Sequence, residues 1–217
     1  MILVGTILTL GLFLFVGWII ATEMFQHRAW RRRVESGDVG IIAALVEEAM
    51  GTWRRSRPPR GMAAHLWAGV QGAQVAAIDA ESVTVSASAE GQFRTEGGQR
   101  VQVQSAVDEA EELAVRLVDM MLYDVPNLRL RRVRVDIYAT FTGDQGIPVQ
   151  KPILTTTAYR SEADAIDWEA LRPREILDRF ETTVGRTATG APAPIELPPV
   201  EGSPPPATAG GEMEERS

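Results

Sequence analysis

Lys151 is the only lysine of the chain, His27 and His65 are its two histidines, and it has no cysteine. These few residues bound its chemistry. A P-loop places a lysine inside Gly-Lys-Ser/Thr so that the ammonium reaches the nucleotide phosphates, and Lys151 sits instead in VQKPI. A Ser-x-x-Lys pair fails because position 148 is proline. A Schiff-base lysine needs a desolvating pocket, and the flanking prolines place Lys151 in an edge-strand pattern. Neither GxGxxG nor GxSxG occurs. Without cysteine there is no thiol catalysis, disulfide, zinc–thiolate site or iron–sulfur cluster. His27 abuts the apolar N-terminus, which leaves His65, in MAAHLWAG, as the candidate imidazole base. A lone histidine in such a setting reads more simply as a packed or surface residue.

Acids are plentiful, so carboxylate chemistry survives this elimination. VDEAEEL (107–113) brings Asp108, Glu111 and Glu112 near one helix face at i, i+3 and i+4, a spacing compatible with a magnesium ion. A solvated helix N-terminus explains the same acids, and no metal, cofactor or catalytic residue is assigned. LRLRRVRVDIYATF (128–141) collects Arg129, Arg131, Arg132 and Arg134 with Tyr138 on or beside one strand. Such a row could hold phosphate, RNA or anionic lipid. The plainer alternative is a sheet face whose arginines pair with acids across the strands. HLWAGVQGAQ (65–74) reads as a loop with Trp67 among close glycine turns, either a core anchor or part of an interaction surface.

The elements that would position these groups follow from periodicity. Val39, Ile42, Val46, Met50 and Trp53 recur at helical spacing over 37–53. That stripe either lies on the bilayer or is the first helix of the soluble domain. Val75–Ile78 and the alternating Val83, Val85 and Ala87 predict strands, with EGG (96–98) as a turn and Val101 and Val103 beyond it, three or four antiparallel strands in all. Ser105 caps a helix whose buried face carries Val107, Ala110, Ala114, Leu117, Val118 and Met121, ending near Pro126. Val133, Val135, Ile137, Ala139 and Phe141 alternate in the next strand. TGDQG turns into IPVQKPILTTTAYR, whose prolines place at least its first half on a sheet edge. SEADAIDWEAL and PREILDRFETTV predict two short helices. No βαβ alternation is read, so the fold class is α+β, with a mostly antiparallel sheet packed by helices over 61–184.

Residues 1–22 carry no charge and, at roughly 1.5 Å per residue, reach about 33 Å, enough for a hydrocarbon core of about 30 Å. A cleaved signal peptide would want a basic n-region and a shorter apolar run, so the segment predicts a retained single-pass anchor. Trp18, near the C-terminal end of the run, suits the headgroup region, and Arg28, Trp30, Arg31, Arg32 and Arg33 follow the apolar run as the flank that sets anchor and topology. Positive charge stays inside, which predicts an inner-membrane protein with its soluble part cytoplasmic. Contact of these arginines with anionic lipid is compatible with that topology.

Residues 23–60 carry eight arginines against five acids, the basic juxtamembrane part of the chain. Residues 61–184 carry twelve basic groups against nineteen acids, which disfavours nucleic acid as a partner of the folded part. From 185 to 217 the sequence is built of Pro, Gly, Ala, Thr and Glu and predicts a disordered tail. Together these features point to a membrane-anchored, non-enzymatic interaction or scaffold module that binds an unidentified protein partner. A membrane-tethered carboxylate- or metal-dependent hydrolase or nuclease, and a nucleic-acid or anionic-lipid binder built on the arginine strand, are the alternatives.

Overall fold

The computed structural model describes residues 38–143 and 146–200. The apolar run at 1–22 and the basic flank with Trp18, Arg28, Trp30, Arg31, Arg32 and Arg33 lie outside the described residues. Among the described residues no helix is long and apolar enough to cross a membrane.

Helix α1 (Val39–Arg55) starts where Asp38 accepts the amides of Gly40 and Ile41, satisfying two donors that a helix start leaves without partners. Its apolar stripe, Ile42, Leu45, Val46, Ala49, Met50 and Trp53, is buried in the main core. The stripe is therefore a domain face, and the helix set apart with 23–60 in the sequence shares its core with the later elements. Helix α2 (Ala64–Gln71) replaces the loop expected over 65–74.

Strands β1 (Gln74–Ile78), β2 (Ser82–Ser88), β5 (Arg132–Thr142), β6 (Pro148–Tyr159) and β7 (Glu181–Val184) form one sheet in the order β1-β2-β5-β6-β7. Pairs β1/β2, β5/β6 and β6/β7 are antiparallel, whereas β2/β5 is parallel. The last pairing corrects the expectation that no βαβ unit is present. Between β2 and β5 the chain makes a separate two-stranded ribbon, β3 (Gln92–Glu96) and β4 (Gln99–Gln104), and then helix α3 (Ala106–Asp119). A parallel pair needs a crossover of this kind. Helix α3 is capped by Ser105, whose hydroxyl accepts the Asp108 amide at 3.0 Å. It ends in a π-helical turn, Met120–Asp124.

The alternation of β2 and β5 sorts the two faces of the sheet. Val83, Val85, Ala87, Val133, Val135, Ile137, Leu154 and Ala158 meet the helices in one core. Ser82, Thr84 and Ser86, aligned with Arg132, Arg134 and Asp136, occupy the opposite, polar face. The domain is thus a mixed α+β fold with a sheet packed by helices.

Two further expectations change. Helices α4 (Arg160–Ala163) and α5 (Pro173–Leu177) are shorter than read, and ETTV forms β7, not a helix end. β-Branched threonine and valine fit an edge strand better than a helix terminus. Strand β7 covers β6 only from Leu154 to Thr157, so the proline-bearing half of β6 lies beyond it, as Pro148 and Pro152 require.

Residues 185–200 are also ordered, against the expectation for the tail. Gly185 donates to Ile153, Ala193 to Gly185 and Ile195 to Pro152 at 2.8, 3.0 and 2.9 Å, continuing the cover of β6 where β7 stops. A Cβ on Gly185 would collide with the Ala193 carbonyl, so this crossing needs glycine. Residues 201–217 lie outside the described residues.

Candidate functional site

Helix α3 presents its acids to a cleft against α5. Asp108, Glu111 and Glu112 line it with Arg172, Arg174, Glu175 and Asp178, and the cavity measures about 580 Å³. A neighbouring hollow of about 360 Å³ shares Glu111, Arg174 and Asp178 and adds Arg186. Where a divalent cation was conceivable, a guanidinium sits: Arg186 Nη2 donates to Glu111 Oε1 at 3.0 Å and to Asp108 Oδ1 at 3.4 Å. Burial pushes the Glu111 carboxyl above its ordinary range, and Asp108 adds to the rise, against the opposing pull of Arg186 and Arg174. Among the described residues no group of three or more acids, histidines or cysteines is placed to hold a metal ion.

On the rim, the Arg172 amide and guanidinium both donate to Glu175, each at 2.9 Å, and Pro173 opens the helix without an amide to satisfy. This hydrogen bonding drives the Glu175 carboxyl down to about 2. A depressed carboxyl stabilises the fold above its unfolded value near 4.5, and that contribution is lost as pH falls toward 2. Denaturant titrations between pH 7 and pH 2 should therefore show a shallower acid loss for Glu175→Gln than for the wild type. Equal slopes would refute the assignment.

The arginine-rich strand does not form the open cationic row considered above. Arg134 Nε donates to Asp136 Oδ1 at 2.9 Å, and Thr155 Oγ1 donates to the same oxygen at 2.6 Å. The side chains of Arg134 and Asp136 are only 9% and 3% exposed. Arg132 reaches Ser82 Oγ at 3.3 Å and lies 3.8 Å from Asp79, while Arg131 pairs with Glu81 at 3.2 Å. Arg129 and Arg131 are exposed and precede β5, and Tyr138 is half-buried. The sequence placed Arg132, Arg134, Asp136 and Tyr138 on one face correctly. The surface of Arg129, Arg131, Arg132, Arg134 and Tyr138 nevertheless loses Arg134 as an exposed cation, because its side chain is buried and its Nε is held by Asp136.

Trp67 belongs to the core. Its ring is buried and its indole Nε1 donates to the Ser56 carbonyl at 3.1 Å, so it is not a surface anchor. His65 Nε2 lies 3.1 Å from Gln104 Oε1, a link between α2 and β4. Lys151 is exposed on β6.

The β3–β4 ribbon is the surface that sequence reading passed over. Phe93, Val101 and Val103 are 45, 41 and 57% exposed, large apolar side chains on a ribbon outside the main sheet. The Arg100 guanidinium lies 3.9 Å from the centroid of the Phe93 ring. At its base the ribbon is fixed. The buried Glu109 of α3 accepts the Gly91 amide at 2.9 Å and the Gln92 side-chain amide at 3.1 Å. Gly91 has φ +77°, and a Cβ there would meet the Ala106 nitrogen at 2.9 Å, so the strand leaves α3 through a glycine-specific approach. The alternation of Val101 and Val103 reads as a strand beyond the EGG turn, and β4 is that strand, exposed along nearly all its length. The polar residues around it, QFRTEGGQRVQVQ, were the available sign that neither face is buried.

Comparison with protein-family models, with curated proteins and with solved structures found no match.

Proposed function

We propose that the protein is a membrane-tethered interaction module that docks a protein partner through the β3–β4 ribbon. The observation that carries this reading is the ribbon itself: Phe93, Val101 and Val103 in solvent, on two strands outside the main sheet, held at the base by Glu109. A two-stranded ribbon is at best marginal in water, so a fixed base and apolar side chains exposed on both faces, Phe93 opposite Gln102 on one and Val101 opposite Arg94 on the other, suit a partner that completes the ribbon by strand pairing. Its charges are mixed, with Arg94 and Arg100 against Glu96, which fits a protein surface better than an anionic bilayer. In the charged cleft, by contrast, Arg186 binds Asp108 and Glu111, and Arg172 binds Glu175, so those groups serve the fold.

In this reading residues 1–22 are the anchor, and Arg28, Arg31, Arg32 and Arg33 hold the domain on the cytoplasmic face of the inner membrane. Protease treatment of right-side-out and inverted vesicles, probing a C-terminal tag, tests the topology: cleavage only in inverted vesicles is expected. A photo-crosslinking phenylalanine analogue at positions 93, 101 and 103 of the full-length protein tests the docking surface. One protein adduct of constant mass should form at these three positions and not at the exposed Glu169. Lipid adducts alone, or the same adducts at Glu169, would overturn the reading.

A further inference from the structure

The polar face of the sheet buries more than an open face of Ser, Thr, Arg and Asp should. Thr84, Arg134, Asp136 and Thr155 are all buried. The chain itself reaches over this face. After β7 a turn closes with Thr187 donating to Ala191 at 2.8 Å, and Arg186 bridges to Pro192. The chain then meets β6 at Ile195, which donates to Pro152, and reaches β5 at Pro199, whose carbonyl accepts from Arg134 Nη1 at 3.0 Å.

Pro198 and Pro199 have no amide hydrogen, so at Arg134 the segment offers the sheet carbonyl acceptors and no donors. Arg134 is built to receive them. Its Nε is held by Asp136, which Thr155 holds in turn, so the other two nitrogens are aimed without freedom to turn. Only one of them is used: Nη2 of Arg134 is buried and has no hydrogen-bond partner. Residues 193–200 are therefore an incomplete ligand for a preorganised guanidinium. A carboxylate would engage both nitrogens of the fork.

We propose that the polar face of the sheet is a binding surface for an extended, proline-containing peptide that presents a carboxylate to Arg134, and that residues 193–200 occupy this surface in cis. The segment is tied to the domain by a short turn, so its effective concentration is on the order of millimolar. It shields the surface from weak ligands and gives way to one that completes the fork. This inference is independent of the ribbon and stands or falls separately from it.

The test uses full-length protein and two fluorescein-labelled, C-terminally amidated peptides, IELPPV, which copies residues 195–200, and IELPPE, which adds a carboxylate at the last position. Ile195→Asp with Leu197→Asp loosens the cis segment. Both side chains are half-buried and lie outside the core, so the fold is retained. The loosened variant is expected to bind both peptides more tightly than the wild type does. IELPPE should bind it about tenfold more tightly than IELPPV, the scale of one added charge-assisted hydrogen bond. Adding Arg134→Lys to the loosened variant keeps the charge but removes the fork, and should erase that difference. Absence of peptide binding to a folded, loosened variant would overturn the proposal. So would an undiminished preference for IELPPE in Arg134→Lys.

Discussion

Arg134→Ala is expected to destabilise the domain by about 3–5 kcal/mol, because it leaves the Asp136 carboxylate buried without its cation. Asp136 is 2% exposed, and its Oδ1 receives both Arg134 Nε and Thr155 Oγ1, so no rotation takes the charge to water. The pair lies in the middle of the sheet, where β5 is flanked by β2 and β6. Replacing both partners by apolar residues of similar size, Arg134→Met with Asp136→Leu, removes the desolvation cost and the attraction together. That variant should fall within about 1–2 kcal/mol of the wild type, since buried ion pairs are often neutral against such replacements. Equilibrium denaturation of the three proteins measures the difference. A loss below about 1 kcal/mol for Arg134→Ala would mean that water reaches Asp136, and the face would then be open rather than covered.

What the chain discloses without coordinates depends on how local each cause is. The alternation in β2 and β5 is legible because a period of two is written in consecutive residues, and the Ser105 cap because a cap acts within three residues. Helix α2 was hidden by its glycines, which read as loop punctuation. Gly69 is there for close approach: a Cβ would lie 2.8 Å from a Leu113 methyl carbon on α3, a contact over forty positions along the chain. The parallel β2/β5 pair is concealed by the ribbon inserted between its halves. The order of 185–200 is invisible to composition, since proline and alanine lack the apolar area to fold alone. It arises from acceptors and donors elsewhere, the Ile153 and Pro152 carbonyls and Arg134. The candidate surfaces follow the same logic. The arginines in and just before β5 were visible by type, but the partners of Arg131 and Arg132, Glu81 and Asp79, lie in the turn between β1 and β2, far along the chain, and only Asp136 shares the strand.

Trp67 separates the two roles that its sequence context allowed. Trp67→Ala should lower stability by about 3–5 kcal/mol, the range for emptying a buried tryptophan site. The same loss corresponds to a melting temperature roughly 6–20 °C lower for a domain of this size. The magnitude follows from where the ring sits. It is 4% exposed in the cluster that joins α1 and α2 to the sheet, and its indole nitrogen holds the Ser56 carbonyl. Gln71 donates to that carbonyl as well, at 3.1 Å, so two side chains of α2 hold the Ser56 carbonyl at the end of α1. Trp67→Phe keeps most of the volume and loses one of those two bonds. Because Gln71 still satisfies Ser56, it should cost only about 1–2 kcal/mol. Photo-crosslinking from the ribbon supplies the contrast: Trp67→Phe should leave the adducts at positions 93, 101 and 103 unchanged, since a packing residue acts through stability alone. If Trp67→Phe abolished those adducts while its melting curve stayed near wild type, the tryptophan would be part of the docking surface after all, and the division between a buried core and an exposed ribbon would be wrong.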